Sequence, residues 1–237
     1  MLTRGGSAEC GAAVIGEQWL ISASHCLENF DRCQNPGDCY AQFRKLNKGK
    51  YQVGEFRIDL LDAILGPGKS DLALVKLETK VSQHQDYDKG VRLQPVKLAT
   101  SPPRVGETVY TAGWGRTGFN MGPSNQLKRL QLVANGSDDR YIYTLVRNEA
   151  GKITDTCSGM ITWYKNVLQN FHKCCTLFAG DSGGPLLVFR NNEYEIVGTL
   201  EVRVNSFFRS LITREVVTTA RMTPSLGEVA SGTTSPA

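Results

Sequence analysis

Histidine is scarce in this chain: His25, His84 and His172 are the only three among 237 residues. Any proton transfer through an imidazole must use one of them. An excess of one charge sign is lacking too. The net charge is +4, from 27 Lys and Arg against 23 Asp and Glu scattered along the chain. That pattern excludes a basic face for nucleic acid and a polybasic membrane contact. No apolar run approaches the roughly 20 residues of a membrane-spanning helix. The opening Met1-Leu2-Thr3-Arg4-Gly5-Gly6-Ser7 has no apolar core segment and is not a signal peptide. No internal repeat and no long amphipathic helix stands out in the core region. Of seven cysteines none follows Cys175, and the odd number leaves at least one without an intrachain partner.

What is present points to an all-β chain. A hydrophobic content of 41% is enough for a real core, and the length fits one large all-β unit or two small ones. Short apolar runs alternate with Gly and Pro turns. Residues 10–30 predict a hairpin turning at Gly16-Glu17. Residues 31–50, with Pro36, Gly37 and Gly49, predict an exposed loop. Strand-like stretches follow over 51–65, and Gly66-Pro67-Gly68 breaks the chain before Asp71. Residues 83–90 predict a polar loop with His84 solvated. Pro102-Pro103 marks a connection between two halves, with a boundary near 100–105. Val105 to Gly115 and Leu127 to Val133 predict further strands. Phe207 to Met222 has amphipathic character that fits a helix, and Thr223 onward lacks core residues and predicts disorder.

The chemistry concentrates at Gly180-Asp181-Ser182-Gly183-Gly184-Pro185. Glycines around a serine let the backbone turn tightly and bring N–H groups close to a reacting carbonyl. A serine hydroxyl needs a base, and the base needs an orienting group. His25, in Ser22-Ala23-Ser24-His25-Cys26 at the end of an apolar run, is the candidate base. Asp71, opening Asp71-Leu72-Ala73-Leu74-Val75-Lys76-Leu77, is the candidate orienter, because an ionised carboxylate at the head of a buried run needs a partner. Elsewhere, Cys33 and Cys39 flank a turn-rich loop and can close a local bridge. Asn135-Gly136-Ser137 is a glycosylation acceptor, used if the chain is secreted.

The order His, Asp, Ser in these three motifs resembles the trypsin/chymotrypsin family of serine proteases. Gly113-Trp114-Gly115 and Cys10-Gly11-Ala12-Ala13-Val14-Ile15 are similar to that family as well, and the resemblance runs from about Cys10 to about Gly198. It implies two six-stranded antiparallel β-barrels, a domain over residues 1–200, a cleft between the barrels, and a Cys10–Cys26 disulfide. It implies that Ser182 attacks the scissile carbonyl, His25 shuttles the proton, Asp71 fixes the histidine tautomer, and the N–H groups of Gly180 and Ser182 form the oxyanion hole. A secreted monomeric endopeptidase follows, without cofactor, with peptide or protein substrates and protein inhibitors as partners. The cysteines fit that oxidising location. The alternative is a catalytically inactive homologue acting as a binding or regulatory module.

Three departures bear on activity. The family's apolar N-terminus, whose amine pairs with the aspartate before the nucleophile, has no counterpart before Cys10. The N-terminus is therefore expected to be incomplete, leaving Asp181 without that partner and its loop zymogen-like. Second, Asp155-Thr156-Cys157-Ser158-Gly159 resembles the family's lead-in to Asp181-Ser182, but Met160 to Gly180 intervene. Removing them leaves no seam, and Gly159-Met160 and Cys174 to Gly180 can be encoded as splice donor and acceptor, so a translated intron is expected. A genuine surface insertion, or a metal site at His172, Cys174 and Cys175, are the other readings, the last with poor zinc spacing. With the segment removed, Asp155 lies six residues before Ser182, where the family places the base of its specificity pocket, implying cleavage after Arg or Lys. Counted on the chain as written, that position is Thr176. Third, Glu201-Val202-Arg203 stands where the family has a Ser-Trp-Gly edge that pairs with substrate, and residues 201–237 do not match. The chain as written is expected to be weakly active or inactive.

Overall fold

The computed structural model of the chain describes residues 1–28, 30–67, 70–115, 122–138, 141–147, 153–154, 181–204 and 216–222. Fifteen strands lie among them. The first seven are β1 (Leu2–Arg4), β2 (Ser7–Cys10), β3 (Ala13–Gly16), β4 (Trp19–Ala23), β5 (Cys39–Phe43), β6 (Phe56–Leu65) and β7 (Leu72–Leu77). They form one sheet in the order β2-β1-β5-β6-β7-β4-β3. Its two outer members, β2 and β3, are successive segments of the chain parted only by Gly11 and Ala12. Counted as one broken strand, they close a six-stranded antiparallel barrel, which removes the exposed sheet edges.

The second sheet holds β8 (Lys97–Leu98), β9 (Thr108–Gly113), β10 (Lys128–Ser137), β11 (Tyr141–Arg147), β12 (Ile153–Thr154), β13 (Pro185–Arg190), β14 (Glu193–Val204) and β15 (Val216–Met222). The path runs β10-β9-β13-β14-β15-β11-β12, and β10 also pairs β11. That extra pairing closes a ring of six strands. β8 lies outside the ring as a parallel partner of β14. The architecture is the expected double β-barrel.

Alternation builds each core. In β7, Ala73, Val75 and Leu77 point into the first barrel, beside Leu20, Phe43, Phe56 and Ile58. In β13, Leu186 and Val188 are fully buried in the second barrel with Val109, Leu132 and Ile142. Each such Val, Leu, Ile or Phe side chain contributes about 1.5–3 kcal/mol of transfer free energy. A third cluster, Ala13, Ile21, Leu72 and Ile196, takes residues from both sheets and seals the barrels together. Ile21 and Leu72 lie just inside the segment that carries His25 and Asp71, so the seam fixes that end of β4 and β7 against the second barrel.

Three expectations are corrected. Residues 31–50 are not wholly a loop: β5 lies inside them, because Cys39, Ala41 and Phe43 alternate inward. Val216–Met222 is a strand rather than the end of a helix; it pairs with β14 over Gly198–Val204 and with β11 at Tyr141 and Ile142. His84 is only partly exposed: its ring stacks on Phe56 at 4.5 Å between centroids, and its Nδ1 accepts the Asp86 N–H at 3.1 Å.

Candidate active site

Strand register brings His25 to Asp71. In the antiparallel pair of β4 and β7, Ser22 faces Ala73 and Ala23 faces Leu72. One step further, Ser24 faces Asp71, and the Ser24 N–H donates to the Asp71 carbonyl at 3.0 Å. There β4 stops and a tight turn of 3-10 helix, Ser24–Leu27, begins. The turn folds the His25 side chain back over the head of β7. Its Nδ1 lies 2.8 Å from Asp71 Oδ2, and its backbone N–H donates to Oδ1 at 2.9 Å. The Ser24 hydroxyl donates to the same Oδ1 at 2.7 Å. Asp71 is only 5% exposed, so these donors stand in for water around a buried charge. Burial pushes the Asp71 carboxyl up, but hydrogen bonds from the His25 ring, the Ser24 hydroxyl and the His25 N–H, with the histidine charge, hold it below its ordinary value.

Ser182 sits on a turn docked against the same place. The Gly184 N–H donates to the Asp181 carbonyl at 3.0 Å, and Gly183 has φ of +77°, which the third position of a type II turn demands. A Cβ on Gly183 would lie 2.2 Å from Ser22 Oγ, so the turn presses onto the end of β4. The Gly11 N–H donates to the Ser182 carbonyl at 2.7 Å, and Ser22 Oγ donates to the Gly11 carbonyl at 2.8 Å. Cys10, next to Gly11, is joined by a disulfide to Cys26, next to His25. These links bind the segments of Ser182, His25 and Asp71 to one corner of the interface. Cys33 and Cys39 form a second disulfide.

Asp181 is 7% exposed and not left without partners: the Gly115 N–H donates to its Oδ1 at 2.7 Å. Its carboxylate fills the space where Cβ atoms of Gly113 and Gly115 would stand, at 1.9 and 2.2 Å. This explains the glycines of Gly113-Trp114-Gly115 and gives Asp181 a backbone donor apart from the N-terminal amine it was expected to lack. Lys48 is within electrostatic reach: burial lowers its ammonium pKa while the Asp181 charge pulls it back up.

Beyond Thr199, β14 leaves β13 and keeps β15 on its other side as far as Val204. Among the described residues no strand covers the vacated edge of Glu201–Val204, which runs on from the Gly183–Leu200 contact.

Among the described residues, one grouping of candidate ligand atoms lies within 4.8 Å, Cys10, His25 and Cys26, and both its sulfurs are consumed by the disulfide. Among them, no helix is long and apolar enough to cross a membrane. Asp155, Gly180, Cys157, His172, Cys174, Cys175 and the whole Met160 to Gly180 segment lie outside the described residues. Asn135 is exposed on β10. Ser24 stands directly before His25 in sequence, but only the register of β4 on β7 shows its contact with Asp71.

The sequence model of the trypsin family matches residues 1–205. That span holds both barrels through β14 and every motif above. The chain belongs to the trypsin family, whose members are serine proteases that hydrolyse peptide bonds.

Proposed function

We propose that the chain is a serine endopeptidase in which Ser182 is the nucleophile, His25 the general base and Asp71 the group that orients it. The observation that carries this reading is the His25–Asp71 pair: Nδ1 on Oδ2 at 2.8 Å, with the carboxylate buried and held by two further donors. A proton fixed on Nδ1 leaves Nε2 to accept the Ser182 proton. Attack on a scissile carbonyl then gives a tetrahedral oxyanion, taken by the N–H groups of Ser182 and of the glycine before Asp181: Gly180 in the chain as written, Gly159 in a form without Met160–Gly180. Collapse expels the amine, protonated by His25, and leaves an acyl-enzyme that water hydrolyses by the reverse roles. A peptide added to the open edge of β14 at Glu201–Val204 would be held in register for that attack.

Asp155 is proposed as the base of the specificity pocket, selecting Arg or Lys, in a form without Met160–Gly180. Cys10–Cys26 and Cys33–Cys39 fit secretion, and Asn135 is the proposed glycan acceptor. The test is a digest of a peptide library by the chain as written and by the form lacking Met160–Gly180. Cleavage by the shortened form after Arg and Lys, stronger than by the full chain, supports the assignment. Cleavage after large apolar residues refutes Asp155 as the pocket base. Sequencing the transcript between the Asp155 and Ser182 codons decides whether the segment is spliced out.

A further inference from the structure

Ser24 makes the shortest contact on Asp71, at 2.7 Å. We infer that Ser24 is a positioning residue for the His25–Asp71 pair, an inference that rests on His25 acting as the base. Its hydroxyl clamps Oδ1 so that Oδ2 faces the imidazole, and it tempers the basicity of the carboxylate.

The geometry carries this in three steps. First, Ser24 grips Asp71 at two points, its N–H on the carbonyl at 3.0 Å and its hydroxyl on the carboxylate. The backbone bond continues the β4–β7 ladder, so the hydroxyl is held in place by the sheet rather than by its own rotamer alone. Second, the hydroxyl has one proton to give. Its other acceptor in reach, the Ser70 carbonyl, is at 3.4 Å, the long end of hydrogen bonding, so the carboxylate takes it. Third, a carboxyl torsion is broad and two-fold. With Ser24 and the His25 N–H both on Oδ1, that atom is pinned and Oδ2 is left to the ring. Removing the hydroxyl leaves Oδ1 one of its two donors.

The electrostatic consequence has a direction. A carboxylate with fewer donors is a stronger base toward its remaining partner, so it holds the imidazolium proton more tightly. Among the described residues, the charged groups on the elements packed against the turn have other partners. Of the elements packed on it, β4 carries no titratable side chain, β6 carries Arg57, Asp59 and Asp62, and β7 carries Lys76. Arg57 lies over Tyr40 and Lys76 over Trp19. Asp59 accepts the Gly37 N–H and Asp62 the Ala63 N–H. Glu28, just past the turn, is exposed, and Cys26 Sγ, 3.9 Å from Nε2, is in a disulfide.

The test is an NMR titration of the His25 ring in the full chain, wild type against Ser24→Ala and Ser24→Thr. It is paired with the pH dependence of Ser182 labelling by a fluorophosphonate, and with thermal melting. Ser24→Ala is expected to raise the His25 titration midpoint by up to about one unit, tenfold in proton affinity. Its plateau labelling is expected to fall about tenfold. Ser24→Thr, which keeps the hydroxyl, is expected to retain both. An unchanged His25 midpoint in Ser24→Ala, or an equal shift in Ser24→Thr, overturns the inference, whatever the melting temperatures do. If Ser24→Ala does not fold, Ser24→Cys, a weaker donor, must show the same upward shift. Wild-type chain that is never labelled overturns the enzyme reading, while the His25 midpoints still decide the role of Ser24.

Discussion

Lys45→Met tests a buried ion pair in the loop that meets the second barrel. Lys45 Nζ lies 2.8 Å from Glu55 Oε2, and the two side chains are 10% and 2% exposed. Among the described residues the buried Glu55 Oε1 has no hydrogen-bond partner, so Lys45 is the group that makes this carboxylate tolerable. At an effective dielectric of about 20 the attraction at this separation is about 6 kcal/mol, set against several kcal/mol of desolvation for each ion. The net worth of the pair is therefore small, but removing one partner is expensive. Lys45→Met is expected to destabilise the fold by about 3–5 kcal/mol, lowering Tm by about 10 °C at this chain size. Lys45→Met with Glu55→Leu is expected to recover most of that loss. Denaturant unfolding and melting of the four chains of the double-mutant cycle measure it. The loop matters because its backbone meets the second barrel: the Lys48 N–H donates to Asn125 and the Leu127 N–H to Leu46, both at 2.7 Å. A Lys45→Met loss below about 1 kcal/mol, or losses in the double variant that simply add, would mean that Glu55 does not depend on Lys45.

Further predictions concern the corner itself. Asp71→Asn puts an amide donor against Nδ1, forces the ring proton onto Nε2 and lowers the labelling rate of Ser182 by about four orders of magnitude; a loss under tenfold speaks against Asp71 as orienter. The Asp71 carboxyl is held below its ordinary 3.8. Its ionised form therefore stabilises the fold fully above that pH, and this contribution is lost as pH falls through the folded value. Asp71→Asn should accordingly destabilise at neutral pH and progressively less on acidification, read by denaturant midpoints across pH. Gly115→Ala places a Cβ 2.2 Å from Asp181 Oδ2; it should cost about 1–3 kcal/mol and slow Ser182 labelling, whereas a neutral result would mean that Asp181 has room to move. Cys10→Ser with Cys26→Ser opens a cross-link spanning 16 residues and should cost about 3 kcal/mol, measured by melting with and without reductant.

How far the sequence revealed this molecule depends on the range of each signal. Ser182, His25 and Asp71 stand out as candidates because each lies in a short motif: glycines around a serine, small residues before a histidine, an acid heading a buried run. The barrels were legible from many short apolar runs between Gly and Pro. β5 was not, because Pro36, Gly37 and Gly49 dominate its surroundings and its alternation spans only Cys39 to Phe43. β15 was not, because Val216 to Met222 is apolar enough for either helix or strand, and pairing with β14 decides it. Ser24 and Asp71 are 47 residues apart in sequence, so only strand register puts a hydroxyl on that carboxylate. The same holds for Asp181, whose place in the cradle of Gly113 and Gly115 depends on how the second barrel closes.

The most direct measurement is mass spectrometry of the folded full chain after long exposure to excess fluorophosphonate. A Ser182–His25–Asp71 triad predicts a slow, single adduct on Ser182 in the wild type, and none in Ser182→Ala or His25→Ala. A folded wild-type chain without an adduct, or an adduct on Ser182 that persists undiminished in His25→Ala, would contradict it.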